Sequence, residues 1–169
     1  HLVTKKCVFE QVKETDATFI YNLRNNHQAS FLRKSDGNAL DQKKYLINYE
    51  QKFKKGEEIY YKVRNRVNSN VEAVVRLTEL KNFPIFNWES LISVEGSDPT
   101  TPIEVMLTIY KIGFEILGCE QCGPWDVDKK HSTMQQIHKI VGMAKPISES
   151  DRYFKYAVFN SDYVAKIAK

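Results

Sequence analysis

The chain has 169 residues, 42% of them hydrophobic and 27% charged, with a net charge of +4. That length suits a single domain spanning 1–169 with a proper core, and the composition is that of an ordinary soluble globular protein. A mild positive bias without a long Lys/Arg run argues against a dedicated nucleic-acid-binding protein. No apolar run approaches the ~20 residues of a membrane span, and no signal peptide is recognisable. The expectation is a cytoplasmic protein with no membrane or nucleic-acid partner, for which a homodimer remains open.

Lys5 to Val12 alternates and reads as a strand. Thr15 or Asp16 then caps a helix ending near Asn25-Asn26, with Phe19, Ile20 and Leu23 on one face. Ser35-Asp36-Gly37-Asn38 is a turn, and a helix follows from Ala39 to about Lys54, with Tyr45, Leu46, Tyr49 and Phe53 at helical spacing. Three strands come next: Glu58 to Val67, Val71 to Leu80 and Ile85 to Val94, the first two joined by the short turn Asn68-Ser69-Asn70.

The rest of the chain is organised around the stretch from Ile85 to Gly142. After the third strand, Glu95-Gly96-Ser97-Asp98-Pro99-Thr100 is a turn. A helix is expected next, with Thr101 as N-cap, Pro102 at its first position and Glu104 completing a capping box. It runs to Leu117 and stops at Gly118. Apolar residues on nearly every face predict that it is buried. A turn that feeds a buried helix N-terminus suits an anion, because backbone N–H groups lack partners there. Cys119 to Val127 reads as a strand interrupted by Gly123-Pro124, and so bent or at an edge there. Lys129 to Val141 is a helix closed by Gly142, Tyr153 to Phe159 a strand, and Ser161 to Lys169 a helical stub. The order β-α-α-β-β-β-α-β-α-β predicts an α/β (α+β) layered fold around one mixed sheet.

The three cysteines are an odd number and include a single Cys119-Glu-Gln-Cys122 pair. This pattern supports neither a disulfide framework nor a zinc site. Reduced, structural thiols and no metal are expected.

This order resembles the GNAT acyl-CoA N-acetyltransferase superfamily, over almost the whole chain. Four segments carry the likeness: Asp16-Ala17 with Leu23-Arg24-Asn25-Asn26, Val71 to Thr78, Ile112 to Gly118, and His131 through Gly142-Met143. The resemblance implies a mixed, mostly antiparallel sheet flanked by helices and acetyl-CoA as co-substrate. It further implies a slot for the pantetheine arm along Ile92, Ser93 and Val94, and cofactor contacts from Gly96, Ser97, Thr100 and Thr101 near the pyrophosphate. It makes Glu89 the carboxylate that relays a proton from the substrate amine. His138 becomes the group that protonates or steadies the departing thiolate.

The chain also departs from the family pattern. Pro99 and Pro102 cannot donate an N–H in the phosphate turn, and Glu95 and Asp98 add like charge there. His131 and His138 stand where Asn and Tyr are common. Each candidate has a plainer reading. Glu89 fits an exposed strand position, His138 a hydrogen-bonded core histidine, and the hydroxyls of Ser97, Thr100 and Thr101 turn and cap duty.

The expected function is transfer of an acetyl group to a primary amine on a small molecule. By resemblance, the first candidate acceptor is an amino sugar carried on a nucleotide or used in surface-polysaccharide synthesis, and the second is a protein N-terminal amine. The competing class is a GNAT-fold binding module with a degenerate CoA site.

Overall fold

The structure, a computed structural model, describes residues 2–26 and 38–167. Residues 35–37 of the expected turn lie outside this range. The chain begins with two short strands, β1 (Leu2–Val3) and β2 (Cys7–Gln11). Helices α1 (Ala17–Asn25) and α2 (Ala39–Lys54) follow, and then strands β3 (Ile59–Asn65), β4 (Val71–Thr78) and β5 (Ile85–Ser93). The second half comprises α3 (Thr101–Lys111), β6 (Gln121–Asp128), α4 (Ser132–Val141), β7 (Lys145–Glu149), β8 (Tyr153–Phe159) and α5 (Asn160–Ile167). The strands form one eight-stranded sheet in the order β1-β2-β3-β4-β5-β6-β8-β7. Every neighbouring pair is antiparallel except β5 and β6, which α3 connects as a parallel crossover.

Both faces of the sheet are covered. On one face Val12, Ile20, Leu46, Tyr49, Tyr60 and Ile92 pack beneath α1 and α2. On the other, Phe86, Trp88, Met106, Ile109, Tyr110 and Phe114 form the core with α3 and α4. Strand β4 lies between the two layers, and its near-continuous apolar run follows from burial on both sides. Tyr49 pins α2 to the sheet, its hydroxyl accepting the Tyr60 amide at 2.9 Å. The start of α2 is local chemistry. The Asn38 side chain accepts from the amides of Leu40 and Asp41, and the Asp41 carboxylate accepts the Asn38 amide.

The helices and strands expected from the sequence are present, with three corrections. Helix α3 begins one residue early, with Thr100 at the N-cap and Thr101 inside the first turn, so the expected Thr101–Glu104 capping box is not formed. Beyond Lys111 the helix widens into a π-turn over Ile112–Ile116, closed by a bond from the Leu117 amide to the Ile112 carbonyl. That extra residue turns Ile116 (61% exposed) and Leu117 to the surface, and burial stops at Phe114. Gly113 permits the turn, since a Cβ there would fall 1.9 Å from the Phe86 ring. Third, α4 starts at Ser132, and His131 stands outside it as the N-cap, its Nδ1 accepting the Met134 amide at 3.4 Å.

Strand β7 carried no sequence signal. Each of its residues is exposed, and pairing to β8 holds it together with ion pairs from Lys145 to Asp162 and from Lys129 to Glu149.

Candidate functional site

Strands β5 and β6 pair only at Ile85–Gln121 and Phe86–Cys122 and then diverge. The cause is local to β6. Pro124 has no N–H to offer β5, and the ladder to β8 shifts register between Cys122 and Trp125. Gly123 adopts φ +91°, and a Cβ there would lie 2.5 Å from the Trp125 ring. Trp88 and Trp125 sit at the base of the resulting opening, their ring centroids 5.3 Å apart.

One wall of the opening is the edge of β5. That strand is bulged against Val75 of β4, because Val74 pairs with Ile92 while Arg76 pairs with Glu89. Ser90, within the bulge, takes φ +55°, and its hydroxyl accepts Arg24 Nη1 at 3.0 Å. Beyond the bulge the ladder assigns the three residues expected to meet a pantetheine arm. The Val94 amide is already bonded to the Glu72 carbonyl at 2.8 Å. Antiparallel alternation turns the backbone groups of Ile92 the same way, toward Val74, and those of Ser93 toward the opening. Of Ile92, Ser93 and Val94, Ser93 therefore presents its N–H and C=O to the slot.

The turn before α3 differs from the expected cradle. The Ser97 amide bonds the Val94 carbonyl, and the Thr101 amide bonds the Asp98 carbonyl. The amide and hydroxyl of Thr100 both bond Asp98 Oδ1 at 2.8 Å. Those bonds hold the Asp98 carboxyl below its usual range, which keeps an anion at the helix mouth. Thr101 is 3% exposed, and its hydroxyl donates to the buried Glu72 carboxylate, which also accepts Asn65 Nδ2 at 2.9 Å. The hydroxyls of Thr100 and Thr101 are thus engaged internally, and Gly96 is the exposed, positive-φ residue at the tip. One cation does reach the turn: Lys6 Nζ lies 3.0 Å from Thr100 Oγ1. No local signal could have pointed to it, since 94 residues separate the pair.

On the sheet face beneath α2, Glu89 opens onto a cavity of about 410 Å³. Its side chain is 51% exposed and lies 3.6 Å from Arg76 Nη1. Arg76 and Glu58 are among the charged residues that line it with Glu89; neither was singled out in the sequence, because their meeting depends on strand register.

His138 is only 2% exposed, enclosed by the rings of Trp88, Trp125 and Tyr156. Its Nε2 accepts the Trp125 indole N–H at 3.3 Å, leaving the neutral ring's proton on Nδ1. Burial, with a smaller contribution from His131, pushes its pKa down to about 4. An imidazolium that could protonate a thiolate is therefore not held at neutral pH. The geometry weighs against the expected general-acid role and supports a packing one.

The cysteines are buried thiols. Burial first, then nearby carboxylates, raises Cys7 to about 11. Burial also raises Cys119 and, further, Cys122. Among the described residues no group of three His, Cys, Asp or Glu side chains is arranged to hold a metal ion. No helix among them is long and apolar enough to cross a membrane.

No protein-family model and no curated protein sequence matches the chain. Solved structures do. The apo structure of FdhC, a nucleotide-linked sugar GNAT, is 30% identical at a TM-score of 0.84, covering 99% of this chain and 96% of that one. Spermidine N-acetyltransferase from Vibrio cholerae, in complex with CoA and spermine, is 16% identical at a TM-score of 0.73, covering 95% and 99%. A ribosomal-protein-S5-alanine acetyltransferase from Vibrio fischeri is 12% identical at a TM-score of 0.74, covering 96% and 97%. The latter two share the fold. The likeness to FdhC adds sequence identity along nearly the whole length of both chains. With the bulged, splayed pair of central strands, it shows that the chain belongs to the GNAT acetyltransferase superfamily.

Proposed function

We propose that this protein is an acetyl-CoA-dependent N-acetyltransferase whose acceptor is a primary amine on a nucleotide-linked sugar. The observation that carries the reading is the juxtaposition at β5: a free strand edge at Ser93 on one side of the bulge, and an accessible carboxylate, Glu89, on the other. The 30% identity to a nucleotide-linked sugar GNAT supports the acceptor class.

Acetyl-CoA supplies the acetyl group as an activated thioester. Ser93 would bind its pantetheine arm by strand-like pairing, and Gly96 with Lys6 would meet its phosphates at the turn. The amine arrives as an ammonium ion, which has no lone pair for attack. Glu89 takes that proton, directly or through one water, before attack. The free amine then adds to the thioester carbonyl. As the C–S bond breaks, the nitrogen's surplus proton passes to the departing thiolate, leaving the amide and the CoA thiol. Holding both partners in line supplies much of the acceleration, and no acyl-enzyme on a cysteine is required.

The engaged amides and hydroxyls of the α3 turn favour a second reading, a GNAT-fold module that binds CoA poorly. A thermal-shift titration separates the two, since ligand at ~100 times its dissociation constant adds ~2.7 kcal/mol. Thiol release from acetyl-CoA is then followed with UDP- and dTDP-linked amino sugars, spermidine and an N-terminal alanine peptide. Turnover confined to the sugar nucleotides supports the proposal. Turnover only with the polyamine or peptide overturns the acceptor class, and the absence of any shift at millimolar acetyl-CoA favours the binding module.

A further inference from the structure

The cavity beside Glu89 is built by strand register. Arg76 pairs across the sheet with Tyr60 on one side and Glu89 on the other, and Thr78 pairs with Asn87 in the adjacent row. Behind Arg76 lies Glu58, whose side chain is 4% exposed. Its carboxylate accepts Arg76 Nε at 2.8 Å, the Tyr45 hydroxyl at 3.0 Å and Lys52 Nζ at 3.3 Å. The Arg76 guanidinium also lies over the rings of Tyr45 and Tyr60, at 5.4 and 5.9 Å. Burial alone would lower the Arg76 pKa, but Tyr45, Glu58 and Glu89 together leave it above its usual value. Arg76 is therefore a permanent cation, fixed from behind and from the faces of its fork, with Nη1 left toward Glu89.

The cavity's charge has a direction. Glu57, Glu58, Glu79 and Glu89 line it against Lys52, Arg76 and Lys81, four carboxylates to three cations. Lys81 is paired with Glu57, and Lys52 and Arg76 with Glu58. Arg76 also faces Glu89, which leaves Glu79 as the excess carboxylate, so the cavity as a whole attracts an ammonium and repels a diphosphate. Thr78, 8% exposed, underlies the cavity with its Oγ1 buried and without a hydrogen-bond partner among the described residues.

We propose that this cavity seats the amine-bearing ring of the acceptor with its diphosphate outside, and that Arg76, locked by Glu58, is a positioning residue that aims Glu89 at the incoming ammonium. The proposal rests on the acetyltransferase reading for its chemistry and on the cavity alone for its binding. A rigid guanidinium holds the carboxylate without further ordering of either side chain, which keeps the proton acceptor in place as the amine binds.

Two measurements on the intact protein test this. In the first, calorimetry without acetyl-CoA compares a panel of UDP- and dTDP-linked amino sugars with their hydroxyl counterparts. Wild type is expected to prefer the amine, with the preference lost in Glu89→Gln and Arg76→Lys. In the second, Arg76→Lys, which keeps the charge opposite Glu58, is expected to lower kcat at least about tenfold while leaving the acetyl-CoA KM within about twofold. Combined with Glu89→Gln it should add little to the loss from Glu89→Gln alone, since both act on one proton transfer. Glu58→Gln should show the same kcat loss in a folded protein.

Amine preference that disappears in Glu89→Gln and Arg76→Lys, without turnover in wild type, upholds the site and overturns the acetyltransferase reading. Wild-type turnover that Arg76→Lys leaves unchanged, or losses for Arg76→Lys and Glu89→Gln that simply multiply, overturns the inference and leaves that reading standing. Neither binding nor turnover overturns both.

Discussion

The indole N–H of Trp125 donates to Nε2 of His138 over 3.3 Å, joining a wall of the β5–β6 opening to the inner face of α4. The ring is neutral when folded, with a pKa of about 4 against 6.5 for the free side chain, chiefly because burial disfavours the imidazolium. A depressed histidine pKa means that the unfolded chain takes up the proton first. The stabilisation is complete above pH 6.5 and is lost as the pH falls from 6.5 toward 4. Between about pH 7 and about pH 5 this one group should remove roughly 2 kcal/mol of stability. His138→Gln, which keeps an acceptor for Trp125, should show a visibly smaller fall in melting temperature over that interval. A fall equal to wild type would mean that His138 is not the titrating group.

Thr101 was expected to contact the cofactor, yet it lies inside α3 with its hydroxyl on Glu72. Thr101→Val keeps the shape and removes one donor from a buried carboxylate, at an expected cost of ~1–3 kcal/mol. Thr101→Ser should restore most of that loss. Chemical denaturation measures both variants, and acetyl-CoA affinity of the folded Val variant should match wild type. Weakened affinity there with stability intact would return Thr101 to the cofactor site.

Gly123 holds the opening at β6 through its positive φ and its contact with Trp125. Gly123→Ala combines a left-handed backbone cost of ~1–2 kcal/mol with a forced shift of the indole. The variant should be less stable by ~2 kcal/mol or more, with altered tryptophan fluorescence. Wild-type stability and fluorescence together would show that the strand parts from β5 for another reason.

Burial raises all three thiols, so few thiolates form at neutral pH and the sulfurs are shielded from reagents. The native protein should react slowly with a thiol-reactive dye at mildly alkaline pH and give its three equivalents only on denaturation. A fast-reacting native cysteine would overturn this, and Cys119→Ser with Cys122→Ser should leave any acetyl transfer intact once folded.

The elements were legible because their causes are local. The 3.6-residue spacing from Tyr45 to Phe53 defines α2, and the aromatic and apolar run Tyr153–Phe159 defines β8; the structure gives both the same bounds. The interruption of β6 at Gly123-Pro124 was legible too, since a missing N–H is a property of the residue itself. Other features depend on partners far away in the chain. Whether Thr101 faces ligand or core rests on Glu72, which arrives from β4. Whether the α3 mouth has a cation rests on Lys6, and whether Glu89 is held in place rests on Arg76 and, behind it, Glu58. The sequence by itself determined the order of the elements other than strands β1 and β7, and the family likeness, because propensity, capping and periodicity act over a few residues. Only the tertiary structure decided which polar groups are already bonded to one another and which remain for a ligand, because strand register and helix docking set those distances.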